Sequence, residues 1–241
     1  MCSFKFQKNL TRKALIALSL VLLTSCATNT FQDSAENKND NIDAANIENK
    51  REKIAEASVE EKTGAISSIN TNIIDPMADI QINAEIKKTY KNTANLIKAK
   101  RFPDAINGLV RLKGKYPQLS GTNYQMARIY ILQKQYEKAL EQIEESIFKN
   151  GRNYYSINLK GVILKSLGKF SDAQKAYNKA IDIYPPYSNS HLNLGVLADL
   201  YLGQPELALR EYKIYMSLTS NQDKKVEKWV VEVERRIKAS Q

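Results

Sequence analysis

The feature that most constrains this chain is a spacing. Ala105, Ala139 and Ala173 stand 34 residues apart, and an aromatic residue precedes each by three places: Phe102, Tyr136 and Phe170. A fourth alanine, Ala208, follows after 35. A fixed period of this size means one supersecondary unit stacked on copies of itself, each covering its neighbour's apolar face. The unit is most legible in residues 154–185, YYSINLKGVILKSLGKFSDAQKAYNKAIDIYP. The first half predicts an amphipathic helix over about 155–167, with Ile157, Gly161 and Leu164 on one side. Gly168 breaks it, because glycine suits the left-handed conformation that ends a helix. A second helix is expected to start near Ser171, since Ser and Asp favour a helix N-terminus. It carries Ala173, Tyr177, Ala180 and Ile181 as a buried stripe, and Pro185 closes the unit.

The small residues have a packing reason. Gly161 and Ala173 let the two helices cross closely, Tyr177 fills the hole they leave, and Ala180 leaves room for the next unit's first helix. This pattern resembles the tetratricopeptide repeat, a helix–turn–helix unit of 34 residues. Closing residues recur at Pro117, Gly151 and Pro185. The extra residue of the last unit falls between Gly195 and Gly203, so its first helix or turn is one residue longer. The first unit conforms least, with Thr93 at the small position and Leu109 in the place of Tyr177. Four units cover about 85–219. The resemblance implies an all-α fold, a helix-turn-helix solenoid of about four repeats within 78–219. Its expected first helix is 82–100, carrying Ile82, Ile86, Tyr90 and Leu96. In 220–241, Val226, Trp229, Val230, Val233 and Ile237 form one apolar stripe with charges opposite, as a C-terminal capping helix needs.

The N-terminal third reads differently. Residues 1–25 have a basic start (Lys5, Lys8, Arg12, Lys13), no acid, and an apolar run from Ala14 to Leu23, too short for the roughly 20 residues that span a bilayer. The run ends Leu23-Thr24-Ser25-Cys26, which resembles the lipobox of bacterial lipoproteins. That resemblance implies a cleaved signal peptide over 1–25 and Cys26 as the lipidated, palmitate-bearing N-terminus of the mature protein. Several acyl chains would make the anchoring stable. Ala27 rather than Asp follows the cysteine, which in enteric-type bacteria implies an outer-membrane anchor facing the periplasm. Residues 26–77 form an acidic, Asn-rich stretch; through Asp75 it has ten acids against five bases and Phe31 as its one aromatic. Such a composition cannot bury enough apolar surface to offset ordering, so a disordered linker is expected.

No catalytic residue is nominated. His191, the single histidine, takes a bulky first-helix position and is expected to pack. No His/Cys/Asp cluster has metal-ligand spacing, no Gly-rich loop follows a strand, and no cofactor is implied. Stacked repeats leave a concave face lined by the first helix of each pair. Tyr90, Lys91, Tyr124, Gln125, Arg128, Asn158 and Asn193 are the candidates to line it. Amides can bond an extended backbone there and aromatics supply rigid contact area. The net charge of +10 admits acidic partners and anionic surfaces, while an export signal argues against nucleic acid. The expected partners are a protein or peptide in the periplasm, the membrane through Cys26, and a second copy of the chain through the open solenoid ends.

Three functional readings follow. The ending LREYKIYMSLTSNQDKKVEKWVVEVERRI, with Trp229 before Glu234-Arg235-Arg236, resembles small tetratricopeptide proteins associated with TonB-type systems. This implies a non-catalytic, lipid-anchored periplasmic adaptor that assembles an envelope machine. The alternatives are a pilotin-like factor for type IV pilus assembly, normally with more repeats, and a regulator of a peptidoglycan synthase or hydrolase.

Overall fold

The computed structural model describes residues 81–241. The expected signal peptide, Cys26, the acidic linker and residues 78–80 lie outside the described residues. Nine α-helices follow in order, and no strand is present among the described residues: α1 (Ala84–Lys98), α2 (Phe102–Lys115), α3 (Ser120–Leu132), α4 (Tyr136–Lys149), α5 (Tyr154–Ser166), α6 (Phe170–Ile183), α7 (Ser188–Leu197), α8 (Pro205–Leu218) and α9 (Lys224–Ala239). The helices pair as four helix–turn–helix repeats closed by α9, an all-α tetratricopeptide-type solenoid.

The turns repeat as faithfully as the helices. α1, α3 and α5 all end on a left-handed residue at the same register: Lys100 (φ 56°), Lys134 (φ 56°) and Gly168 (φ 72°). At each, the next residue's N–H bonds five residues back and the left-handed residue's own N–H closes the inner pair. Arg101 reaches the Leu96 carbonyl at 2.8 Å, Gln135 reaches Tyr130 at 2.9 Å and Lys169 reaches Leu164 at 2.9 Å. These are Schellman motifs, which satisfy carbonyls the helix end would otherwise orphan. In the first two repeats lysine holds a conformation that glycine adopts freely. This turn also corrects one expectation. α6 starts at Phe170, with Lys169 as an N-cap that makes no side-chain bond, so Ser171 and Asp172 lie inside the first turn. The Schellman bonds have already fixed the chain's entry, and Asp172 instead sits where the helix dipole favours an acid.

The 35-residue spacing of the last repeat has a structural cause. α7 does not end at Leu197 but passes into a π-helical turn, Ala198–Leu202, before Gly203 takes the left-handed position at φ 61°. The closing bond is correspondingly one residue longer, from Gln204 N–H to the Ala198 carbonyl at 3.0 Å. A π turn absorbs one inserted residue without breaking the helix. Gly195 of α7 therefore still meets the Tyr212 ring of α8, as Gly161 meets Tyr177 one repeat earlier.

Four of the five core clusters draw on three consecutive helices, and the fifth joins Tyr154 and Ile157 of α5 to Ala180 of α6. Ile86, Tyr90, Ala105, Leu109, Met126 and Ile129 join α1, α2 and α3. Ala127, Ala139, Ile143 and Ile163 join α3, α4 and α5. Leu164, Ala173, Tyr177, Leu194 and Leu197 join α5, α6 and α7. Leu192, Ala208, Tyr212, Val226 and Val233 join α7, α8 and α9. This nearest-neighbour burial makes the stack continuous. Within the pairs, volumes trade against one another. A methyl group on Gly161 would overlap the Tyr177 ring, and one on Gly195 would lie 2.7 Å from Tyr212 Cδ1. Where the first helix carries Ala127 the facing position holds Ile143, and where it carries Thr93 the position holds Leu109; all four are buried. α9 closes the stack through Val226 and Val233, with Trp229 packed at a ring distance of 5.6 Å from Tyr212.

Candidate functional site

The seven residues expected on the concave face do not act as one set. Tyr90 is fully buried, four places after Ile86 on the α1 stripe that faces α2, so its ring belongs to the core and cannot present contact area to a ligand. Lys91 is exposed and lines a cleft between α1 and α2. Tyr124, half-buried, comes together on α3 with Gln125 and Arg128, both of which are buried like Tyr90. Arg128 Nη1 donates to Gln125 Oε1 at 2.7 Å, and its guanidinium lies 5.8 Å from the Tyr124 ring centroid. Asn158 on α5 is joined to α7: its Oδ1 accepts from Ser190 Oγ at 3.2 Å and from Asn193 Nδ2 at 3.0 Å. The two asparagines thus bond across a repeat boundary.

The sequence reading missed the aromatic residues beside Arg128. Tyr154 and Tyr155 open α5, while Tyr184 and Tyr187 frame the turn between α6 and α7. Tyr154 stacks on Tyr184 at 4.6 Å, and Tyr155 meets Tyr187 edge-on at 4.9 Å. Burial disfavours the Arg128 cation and the Tyr124 phenolate, and the two groups partly offset this for each other; Tyr187 is also within electrostatic reach of Arg128. Burial likewise holds the Tyr155 hydroxyl above its ordinary value. Tyr124, Arg128, Tyr155 and Tyr187 therefore converge from α3, α5 and the start of α7. Their signal in the sequence was the doubled Tyr154-Tyr155 and the Tyr184-Pro-Pro-Tyr187 turn. Only the fold brings these within reach of one another, since about 30 residues separate them along the chain.

His191 is buried as expected, but not by apolar packing alone. Its Nδ1 lies 2.8 Å from Glu211 Oε2 and its Nε2 lies 2.8 Å from the Pro185 carbonyl. Both ring nitrogens face acceptors, an arrangement that favours the doubly protonated imidazolium over either neutral tautomer. Arg210 Nε also reaches Glu211, at 3.0 Å. Burial alone would depress the His191 pKa, but the carboxylate and the carbonyl outweigh it and hold the pKa above 6.5. Burial alone would raise Glu211; His191 and Arg210 hold it below 4.5. The pair clamps α7 to α8 and to the preceding turn. Among the described residues no group of three His, Cys, Asp or Glu side chains could hold a metal ion.

Comparison with known proteins places the chain among repeat folds. One family model, described as a tetratricopeptide repeat-like domain, matches residues 5–194, so α8 and α9 lie beyond the matched stretch. A thermophilic tetratricopeptide protein of Thermus thermophilus has 19% identity and a TM-score of 0.53, over 64% of this chain and 83% of its own. MamA protein has 14% identity and a TM-score of 0.51, over 65% and 90%. The first tetratricopeptide domain of Spaghetti, solved with an HSP90 peptide, has 15% identity and a TM-score of 0.47, over 49% and 92%. At these identities the likeness concerns the fold. No curated protein matches the chain.

Proposed function

The chain belongs to the tetratricopeptide repeat-like family, and from that premise we propose that it is a non-catalytic scaffold that binds an extended segment of a partner protein. The family is in general a protein-interaction fold. The observation that carries the reading is the convergence of Tyr124, Arg128, Tyr155 and Tyr187 from three successive repeats. Rigid aromatic area beside a guanidinium suits peptide recognition, because aromatic rings lose little side-chain entropy and Arg adds directed donors. In this reading the Cys26 lipid anchors the protein to the outer membrane, the acidic linker lets the repeats stand off, and the scaffold serves an envelope machine of the TonB-type transport class. The lipobox and the C-terminal resemblance support that placement.

The test is crosslinking in intact cells followed by capture of the protein, with Cys26→Ala and Tyr124→Ala/Arg128→Ala forms beside the wild type. Capture of inner-membrane transport components that is lost in both variants supports the adaptor. Capture of the same pilus subunit or cell-wall enzyme by wild type and Cys26→Ala assigns function to the repeats alone and removes the TonB-type reading. Undiminished capture by the folded double variant shows that the Tyr124–Arg128 surface is not the site.

A further inference from the structure

A second surface lies at the N-terminal end of the repeat stack. In the second repeat, α3 presents Met126 and Ile129 to the preceding repeat, and both are buried there. Counting back one period, the same positions in the first repeat are Asn92 and Asn95. They line an open cleft of about 570 Å3 between α1 and α2, floored by Gly108 and Leu112. A terminal repeat needs a polar outer face to stay soluble. Polarity alone would meet that need; the charge on this face exceeds it. Lys88, Lys91, Arg111 and Lys115 line the cleft against one acid, Glu85, which is taken up by Lys115 at 2.5 Å and by the Tyr116 hydroxyl at 2.9 Å. Among the described residues no acid pairs with Lys88, Lys91 or Arg111. Cations between repeats are handled differently: Lys113 bonds Glu145 at 2.7 Å, and Lys149 bonds Asn123 at 2.8 Å.

We propose that this cleft docks an acidic, extended peptide segment of a partner protein, independently of the Tyr124–Arg128 surface. Charge and shape argue together. α1 and α2 run antiparallel, so Lys88 lies near Arg111 toward one end, while Asn92 and Asn95 continue toward the other. Side chains three and four apart on each helix share a face, which gives two rows flanking the cleft. Carboxylates meet the cationic end, and the asparagines, carrying both donors and an acceptor, match the N–H and C=O groups of an extended backbone. A second copy of this chain is a poor occupant. The outward residues of α9 at the other end, Lys224, Lys225, Lys228 and Arg235 with Glu227 and Glu232, are themselves net basic, so head-to-tail stacking sets like charges together.

The experiment is a fluorescence-anisotropy titration of the full chain with a fluorescein-labelled Glu-Ala copolymer peptide, beside the same peptide with Gln for Glu. Saturable, salt-sensitive binding of the Glu peptide alone is expected, and Lys88→Glu with Arg111→Glu should weaken it at least about tenfold, since reversing two rim charges removes attraction and adds repulsion. Both positions are solvent-facing, and an unchanged far-ultraviolet circular dichroism spectrum verifies the fold of the variant. Equal binding of the Gln peptide, or no saturable binding, overturns the proposal. So does a loss confined to Tyr124→Ala, which assigns the peptide to the other surface. Phosphatidylglycerol vesicles bound more tightly than the peptide, and released by the charge reversal, make the cleft a lipid-contacting surface and likewise overturn it.

Discussion

Replacing His191 by Ala tests how the last repeat is held. The substitution leaves the Glu211 carboxylate buried, with Arg210 Nε at 3.0 Å as its remaining charged partner, and leaves the Pro185 carbonyl without the imidazole N–H. Breaking a buried pair by removing one partner costs about 3 to 5 kcal/mol. Arg210 persists, though its side chain is 64% exposed and correspondingly screened, so the lower end applies, about 3 kcal/mol. At about 2 to 4 °C per kcal/mol for a domain of this size, Tm should fall by about 6 to 12 °C. The pH dependence fixes the mechanism. The His191 pKa is raised above 6.5 in the fold, so its contribution is full below 6.5 and is lost as pH rises through the folded value. The Glu211 pKa is depressed below 4.5, so its contribution is full above 4.5 and is lost as pH falls through the folded value. The gap between wild type and His191→Ala should be widest between 4.5 and 6.5 and should shrink in alkali. The assay is thermal and urea unfolding of both proteins from that window into alkali. A gap below about 1 kcal/mol, or one that stays constant from about pH 5 to about pH 9, refutes the imidazolium–carboxylate clamp.

Other outcomes follow from the packing. Gly161→Ala should destabilise by about 2 kcal/mol through overlap with Tyr177, and adding Tyr177→Ile should recover most of it by recreating the Ala127–Ile143 pairing; urea midpoints of the double-mutant cycle read this directly. Asp223→Ala removes the α9 cap, which accepts from Lys225 N at 3.0 Å and Val226 N at 3.2 Å. It also removes the acceptor of the Tyr215 hydroxyl at 2.9 Å, and should cost at least about 1 kcal/mol and show as faster amide exchange centred on α9. Lys134→Gly should stabilise by up to about 1 kcal/mol, because relief of the left-handed strain exceeds the added chain entropy; an unchanged or lower Tm contradicts that balance.

Much of the fold was legible because a repeat writes the same constraint several times. The 34-residue recurrence of Ala105, Ala139 and Ala173, the glycine at 168 and the stripe from Val226 to Ile237 each stated a local requirement, and the structure meets them with α2, α4, α6 and α9. The left-handed turns at Lys100 and Lys134 were not legible, because lysine carries no preference for that conformation and only the recurring Schellman bonds impose it. The extra residue before Gly203 could be counted but not placed; the π turn at Ala198–Leu202 placed it.

The candidate site was less legible than the fold. Register named seven positions of which Tyr90, Gln125, Arg128 and Asn158 are buried, because a single helix has a groove side and a core side separated by one or two positions, and the neighbouring helix decides which is which. The Tyr155–Tyr187 contact, the His191–Glu211 clamp and the cleft between α1 and α2 join residues from different helices. By itself the sequence determined the repeating unit and its amphipathic faces, since these depend on contacts within one period of the chain. Only the tertiary structure decided which polar side chains meet and which cations stay uncompensated, because that depends on how successive units stack, and stacking is a property of distances through space.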